Sequence, residues 1–276
     1  KGLNTLVLDE ADRMLDMGFD DAITEIVSHL PKDNRQTLLF SATYPDEISY
    51  LSESIQNNAI KIQAKNIDVD NKIKQIFYEV FPEQIIDNIQ KILAFYKPEN
   101  AIIFCNTKLQ VKNIEKSLNQ LGCSVLAIHG DLEQYDRNDV LVQFSNKSCS
   151  ILVATDVAAR GIDIKNLGMV INASLPHDET TYIHRIGRTG RCENDGLAIT
   201  LFAPENAIKA EMYENKDRQF NNLSELGDVK KHLLVAPNKT LVIEAGKKDK
   251  LRAGDILGAL TGDCGLNGSD IGIIDL

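Results

Sequence analysis

Thr5-Leu6-Val7-Leu8-Asp9-Glu10-Ala11-Asp12 runs from apolar, partly branched residues straight into carboxylates. Such a run reads as a buried strand of a parallel α/β sheet, because a strand covered on both faces loses the polar alternation of a half-exposed one. It would set Asp9 and Glu10 at the carboxyl end of that strand, where open α/β sheets hold their ligands. There one carboxylate can hold Mg2+ through water and the other can take a proton from an attacking water. The same residues also suit a plain helix start, with Asp9 or Asp12 as the cap of a helix carrying Met14, Leu15 and Met17.

Outward from this stretch, residues 5–65 follow the pattern strand, helix, strand, helix, strand, with strands at 5–9 and 36–41 and helical spacing at 20–30. This is half of a parallel sheet. Residues 66–74 are polar and aperiodic and read as a linker. A second α/β unit follows at 75–220, with apolar strands at 76–80, 101–105, 124–128, 151–154, 169–172 and 196–201. Helical patterns at 84–95, 108–121 and 134–144 separate them, which implies a doubly wound parallel sheet. A charged helix is expected from 205 to about 220 and a second linker at 221–237. From 238 a new pattern opens, with a strand at 240–245, a helix at 252–261 and a strand at 271–276.

The chain has 276 residues, 43% hydrophobic and 25% charged, which provides ample core for globular domains. Its net charge of −10 excludes a global basic attraction to nucleic acid, so any basic groups must be confined to a groove. The five cysteines are scattered, without the close pairs of a zinc site or a disulfide framework, and fit a reducing cytoplasm. No stretch has the length of a membrane span, and the first residues show no secretory pattern.

The second group with chemistry is His184-Arg185-Ile186-Gly187-Arg188-Thr189-Gly190-Arg191. Arg185, Arg188 and Arg191 recur at helical spacing, so they are expected to stack on one face and to repel one another unless an anion lies nearby. A carboxylate cluster for metal and water with an arginine cluster for transferring phosphate is what nucleoside triphosphate hydrolysis requires. Ser41-Ala42-Thr43 lies between them, one helix and one strand after the carboxylates. The turn Ala154-Thr155-Asp156-Val157-Ala158-Ala159-Arg160-Gly161-Ile162-Asp163 offers donors for a sugar-phosphate chain, and Asp163 an acceptor for a ribose hydroxyl. As ordinary structure, the same turn is a strand-to-helix loop with Asp156 as cap.

In their order along residues 1–203 these segments resemble the motor core of DEAD-box RNA helicases. The resemblance implies two RecA-like parallel-sheet domains, the first partial and the second complete, that close on ATP and single-stranded RNA. By it Asp9 holds Mg2+ through water, Glu10 activates water, and Asp12 links to Ser41 and Thr43. Arg188 and Arg191 reach the γ-phosphate, Arg185 ties to the domain interface, and Asp163 meets the ATP ribose. Ile103-Phe104-Cys105-Asn106-Thr107-Lys108 and Gln134-Tyr135-Asp136-Arg137 resemble two further family segments. Thr107, Gln134, Arg137 and Thr155 would then line the RNA backbone.

The phosphate-cradling loop G-x-x-x-x-G-K-[ST] does not occur, so the chain reads as truncated at its start and, as it stands, is not expected to hydrolyse ATP. Residues 245–252 and 258–263 resemble the start of the RNA-binding tail domain of DbpA-type helicases, an α+β fold like the RNA-recognition motif. That implies large-subunit ribosomal RNA as partner and a part in ribosome assembly. With no aromatic residue at 240–245 for base stacking, Lys247 and Lys248, with Lys250 and Arg252, are the expected contacts. No membrane and no protein partner is expected. A non-catalytic ribosomal-RNA-binding module and a related DNA helicase stand as alternatives.

Overall fold

A computed structural model describes residues 3–31, 34–63, 73–159, 167–190, 196–213, 218–230 and 232–276. The chain divides into two compact units, 1–67 and 68–276.

The first unit runs β1 (Thr5–Leu8), α1 (Ala11–Asp16), α2 (Asp20–Ser28), β2 (Gln36–Leu39) and α3 (Asp46–Ile55). The strands pair in parallel, with Thr5 opposite Gln36 and Leu8 opposite Leu39. Ile23 and Val27, four apart on α2, meet Leu51 and Ile55 of α3 over Leu8 and Leu39, the whole of this small core. The expected burial of β1 is not met: of its residues only Leu8 is buried, and Val7 is 51% exposed. One neighbouring strand and a thin layer of helix cannot cover two faces. Nor do the described residues hold the expected third strand; Ile60 and Ile62 alternate as a strand would, but lie 87% and 88% exposed without a partner.

The second unit contains β3 (Ile73–Glu79), α4 (Ile85–Tyr96), β4 (Ala101–Cys105), α5 (Lys108–Gln120), β5 (Val125–Ile128), α6 (Gln134–Ser145) and β6 (Ile151–Thr155). Then come α7 (Asp156–Ala159), β7 (Met169–Asn172), α8 (Glu179–Ile186), β8 (Gly196–Phe202), α9 (Ala207–Met212) and β9 (Arg218–Asn221). Seven strands form one parallel sheet in the order β5-β6-β4-β7-β8-β3-β9. Every residue of β4 and β6 is buried, as their unbroken apolar runs demand. Alternate residues serve opposite layers. Ile103 and Cys105 pack with Ile89, Ile92, Val111 and Leu118 of α4 and α5, while Ile102 and Phe104 pack with Phe144 of α6 and Ala158 of α7. Each fully buried large aliphatic chain contributes roughly 1.5–3 kcal/mol.

The chain leaves β4 for β5 on one side and later enters β7 on the other, so the order reverses at β4. In open parallel sheets that reversal places the ligand crevice at the carboxyl ends of the strands, here those of β4, β6 and β7.

The helix expected to reach residue 220 stops at Met212, and β9 follows. Its backbone completes the open edge of β3, and the Phe220 ring lies 5.1 Å from that of Phe77. The stretch expected as a second linker is docked instead. Leu226 and Leu234 are buried, Ser124 N–H donates to Leu234 O at 2.8 Å, and Lys91 Nζ donates to Leu223 O at 2.9 Å. In the tail, α10 (Ala253–Gly258) runs on through a wider turn at Ala259–Asp263, but neither 240–245 nor 271–276 forms a strand. Leu241, Val242 and Ile273 stay exposed, since a strand needs a neighbour for its backbone and none pairs with them. No helix among the described residues is long and apolar enough to cross a membrane.

Candidate functional site

In the first unit the turn after β1 is pinned from both sides. Phe40 N–H donates to Leu8 O at 2.8 Å and Ala11 N–H to Phe40 O at 3.0 Å, which fixes where β1 ends and α1 begins. Between them Glu10 adopts the left-handed conformation, φ 51° and ψ 46°, an uncommon state for a residue with a Cβ that clusters at functional turns. Asp9 Oδ1 accepts from Glu10 N–H at 2.9 Å, so Asp9 braces this turn from an exposed position. Glu10 is half-buried. Neither Asp9 nor Asp12 is the helix cap, since Glu10 holds that place with no side-chain bond.

Asp12 is 4% exposed and fully engaged. Its Oδ2 accepts from Thr43 N–H at 2.8 Å and Thr43 Oγ1–H at 2.9 Å, and its Oδ1 from Arg13 N–H at 3.0 Å. Ser41 Oγ in turn accepts from Asp12 N–H at 3.2 Å. The carboxylate thus joins the ends of β1 and β2 and has no oxygen left for a ligand. Asp9 is the group that could face a metal. No cluster of three carboxylates, histidines or cysteines exists among the described residues, so a fully protein-coordinated ion is not offered. A single exposed carboxylate fits Mg2+ that keeps its water and shares phosphate ligands.

In the second unit the reversal point of the sheet is filled by one guanidinium. Arg185, in the last turn of α8, is 1% exposed. Its Nε and one terminal nitrogen donate to the two oxygens of Asp156, each at 2.7 Å. That terminal nitrogen also reaches Asn106 Oδ1 at 2.8 Å, and the other reaches Ser174 O at 3.2 Å and Asn172 Oδ1 at 3.3 Å. The guanidinium centre lies 5.3 Å from the Phe104 ring. Asn106 follows β4, Asp156 follows β6, and Asn172 ends β7, so Arg185 gathers the carboxyl ends of three strands. Burial pushes the neighbouring Cys105 thiol up to about 12, with Arg185 opposing and Asp156 adding to the shift.

This corrects the expected arginine stack. Helix α8 ends at Ile186 with Gly187 as its cap, so Arg188 lies in the following turn rather than on the face of Arg185. Arg185 neutralises a carboxylate of its own unit and holds no place for a phosphate. The segment after Gly187 is clamped in turn: Arg188 O accepts from Leu167 N–H at 3.2 Å, and the buried Thr189 hydroxyl donates to Leu167 O. Gly190 presses so closely on Gly196 that a Cβ there would stand 2.5 Å from Gly190 N and 2.7 Å from its Cα. Arg191, Asp163, Arg160 and Gly161 lie outside the described residues.

Four of the expected RNA contacts lie along the carboxyl rim of this sheet. Thr107 caps α5, its Oγ1 accepting from Gln110 N–H at 3.2 Å. Thr155 ends β6 and is buried. Gln134 opens α6, exposed and bonded to Asn138 Oδ1 at 2.9 Å, while Arg137 donates to Ala158 O at 2.6 Å and ties α6 to α7. Lys247 and Lys248 are exposed in a short turn of the tail, away from any regular sheet.

Sequence reading passed over Asn106 and Asn172 as functional groups and saw Asp156 only as a cap. The available signal was a polar side chain closing each apolar strand, most plainly Asn172 after Met169-Val170-Ile171. Asn172 is wholly buried, and its amide also donates to Thr200 Oγ1 at 3.0 Å.

Comparison with known proteins adds what geometry alone does not. Residues 1–51 match the DEAD/DEAH box helicase family, 84–193 the helicase conserved C-terminal domain, and 240–276 the DbpA RNA binding domain. The chain is 47% identical over 273 residues to the ATP-dependent RNA helicase DbpA of Escherichia coli, covering 99% of this chain and 60% of that protein. To DbpA of Bacillus subtilis it is 36% identical over 298 residues, covering 99% and 62%. It therefore spans about three fifths of the length of these relatives. Among solved structures, Saccharomyces cerevisiae Dbp5 bound to RNA and ADP BeF3 matches 80% of the chain and 60% of its own, with 32% identity and a TM-score of 0.70.

Proposed function

Because the chain belongs to the DEAD-box RNA helicases, and within them to the DbpA type, we propose that the whole protein is an ATP-dependent helicase that remodels RNA. One observation carries the reading furthest. The buried Arg185 binds Asn106 and Asp156, whose chain neighbours Thr107 and Thr155 stand at the sheet rim, and it precedes Arg188 by three residues. A nucleic-acid strand on Thr107 and Thr155 and a phosphate at Arg188 would then be read by one rigid piece of the second unit.

In this reading Glu10 draws a proton from the attacking water and Arg188 and Arg191 neutralise charge on the transferring phosphate. Asp163 holds the ribose, and Asp12 with Ser41 and Thr43 keeps the acidic turn in register with the second strand. Mg2+ held through water by Asp9 supplies charge neutralisation at the phosphates. Thr107, Gln134, Arg137 and Thr155 offer hydroxyl, amide and guanidinium donors to the RNA backbone, a contact blind to sequence. Target choice falls to the tail. Its match to the DbpA RNA binding domain supports ribosomal RNA of the large subunit, a part in ribosome assembly and a cytoplasmic site of action.

Phosphate release by the full-length protein, with RNA, with DNA and with neither, tests this reading. Stimulation by RNA alone is the expected result. Equal stimulation by DNA would end the RNA-specific claim, and no hydrolysis under any condition would favour a binding module without catalysis.

A further inference from the structure

Lys108 and Lys112 stand one turn apart on the exposed face of α5, and a single carboxylate reaches both. Asp131 Oδ1 accepts from Lys108 Nζ, and Oδ2 accepts from Lys112 Nζ at 3.1 Å. All three side chains are about half exposed, at 55%, 52% and 44%. The carboxylate is presented by a fixed turn between β5 and α6, where Asp131 N–H donates to His129 Nδ1 at 3.3 Å and Leu132 N–H to His129 O at 3.1 Å. Its bonds to Lys108 and then Lys112 hold its own carboxyl low, at about 2.

The position of this trio matters more than its bonds. Lys108 directly follows Thr107 at the end of β4, and Asp131 precedes Gln134 by three residues at the end of β5. The trio thus lies between the two groups that, in the reading above, meet the RNA backbone. Exposed ion pairs add little to stability, and two ammonium groups at i and i+4 repel each other, so folding gives no strong reason for the arrangement.

We propose that Lys108 and Lys112 form a phosphate site for single-stranded RNA, and that Asp131 is a built-in competitor which the RNA backbone must displace to occupy it. A phosphate gives each ammonium the same kind of charge-assisted bond that Asp131 gives, so binding exchanges one anion for another. With the carboxylate in place the trio carries one net positive charge instead of two. Fewer counterions are then released on binding, and the grip on RNA of arbitrary sequence stays moderate. This rests on the RNA-remodelling reading and adds residues and a restraint that the family segments do not name.

Binding of a fluorescein-labelled, unstructured oligoribonucleotide to the full-length protein, followed by anisotropy over a series of KCl concentrations with a non-hydrolysable ATP analogue, tests it. Asp131→Asn should bind about 3–10-fold more tightly, with a salt slope steeper by about 0.7, one further phosphate neutralised on a single strand. Lys108→Ala with Lys112→Ala should weaken binding and cancel the gain when combined with Asp131→Asn. If the wild type binds RNA and Asp131→Asn leaves affinity and slope unchanged, or lowers affinity, the inference falls alone. If the wild type binds no RNA, the RNA-remodelling reading falls and takes this with it.

Discussion

Arg185 and Asp156 meet through two hydrogen bonds of 2.7 Å each, and the guanidinium is sealed from solvent at 1% exposure. The pair is the keystone of the second unit's ligand-facing edge, since Asn106, Asn172 and Ser174 converge on the same cation. Burying a charge is costly unless every donor is matched, and here the match comes from three different strand ends.

Asp156→Ala should therefore destabilise the second unit by about 3–5 kcal/mol, because it leaves the buried cation without its countercharge. Arg185→Met should cost less, as Asp156 retains 23% exposure of its side chain and can be hydrated. The double variant should cost less than the sum of the two. Urea unfolding followed by circular dichroism measures all three, and strict additivity would contradict a direct pair.

Gly196→Ala should disturb the turn that carries Arg188, because the new methyl would stand 2.5 Å from Gly190 N and 3.0 Å from Thr189 Cγ2. Backbone rather than a flexible side chain blocks it, so the turn itself must shift, at roughly 1–3 kcal/mol. In the full-length protein RNA-stimulated phosphate release should fall about tenfold or more while RNA affinity changes little. Unchanged turnover would mean that the position of Arg188 does not limit the reaction.

Glu10→Gln keeps the size and the strained turn of Glu10 but removes its basicity. Turnover should drop by about 10²–10⁴-fold, the usual contribution of a general base, with RNA binding retained. Surviving turnover would assign the proton to another group.

Cysteine reactivity should follow burial. Desolvation pushes Cys105 up to about 12 and Cys149 up to about 11, so both remain protonated thiols at pH 8. Cys264 is exposed. Iodoacetamide at pH 8 with peptide mass mapping should label Cys264 within the native protein, and Cys105 and Cys149 only after denaturant is added.

Legibility in the sequence followed burial. The strands 101–105 and 169–172 were readable to the residue because a strand covered on both faces is an unbroken apolar word between polar ends. Residues 218–221 were not: Arg218-Gln219-Phe220-Asn221 is an edge strand whose outer side needs no apolar cover, and only its pairing with β3 makes it a strand. The reverse error arose at 240–245, where Leu241-Val242-Ile243 has strand composition but no pairing partner, and propensity does not close hydrogen bonds. Spacing placed three arginines on one face, yet spacing holds only while the helix lasts, and Gly187 ends it. The acidic turn was legible as a place, whereas the left-handed Glu10 was not, since its conformation is imposed by the bonds between Leu8, Ala11 and Phe40.

The docked stretch after β9 alters how the tail reaches its target. Ser124 takes Leu234 O with its amide and gives its hydroxyl oxygen to Ala236 N–H at 2.9 Å, Asn238 bonds Asn146 O at 2.9 Å, and Thr240 bonds Ser148 at 2.8 Å. A free tether of that length would let its cargo roam a sphere whose radius grows with the square root of the residues it contains. Moored as far as Thr240, the cargo swings from a fixed post, so an RNA caught by the tail is delivered to the motor at high local concentration.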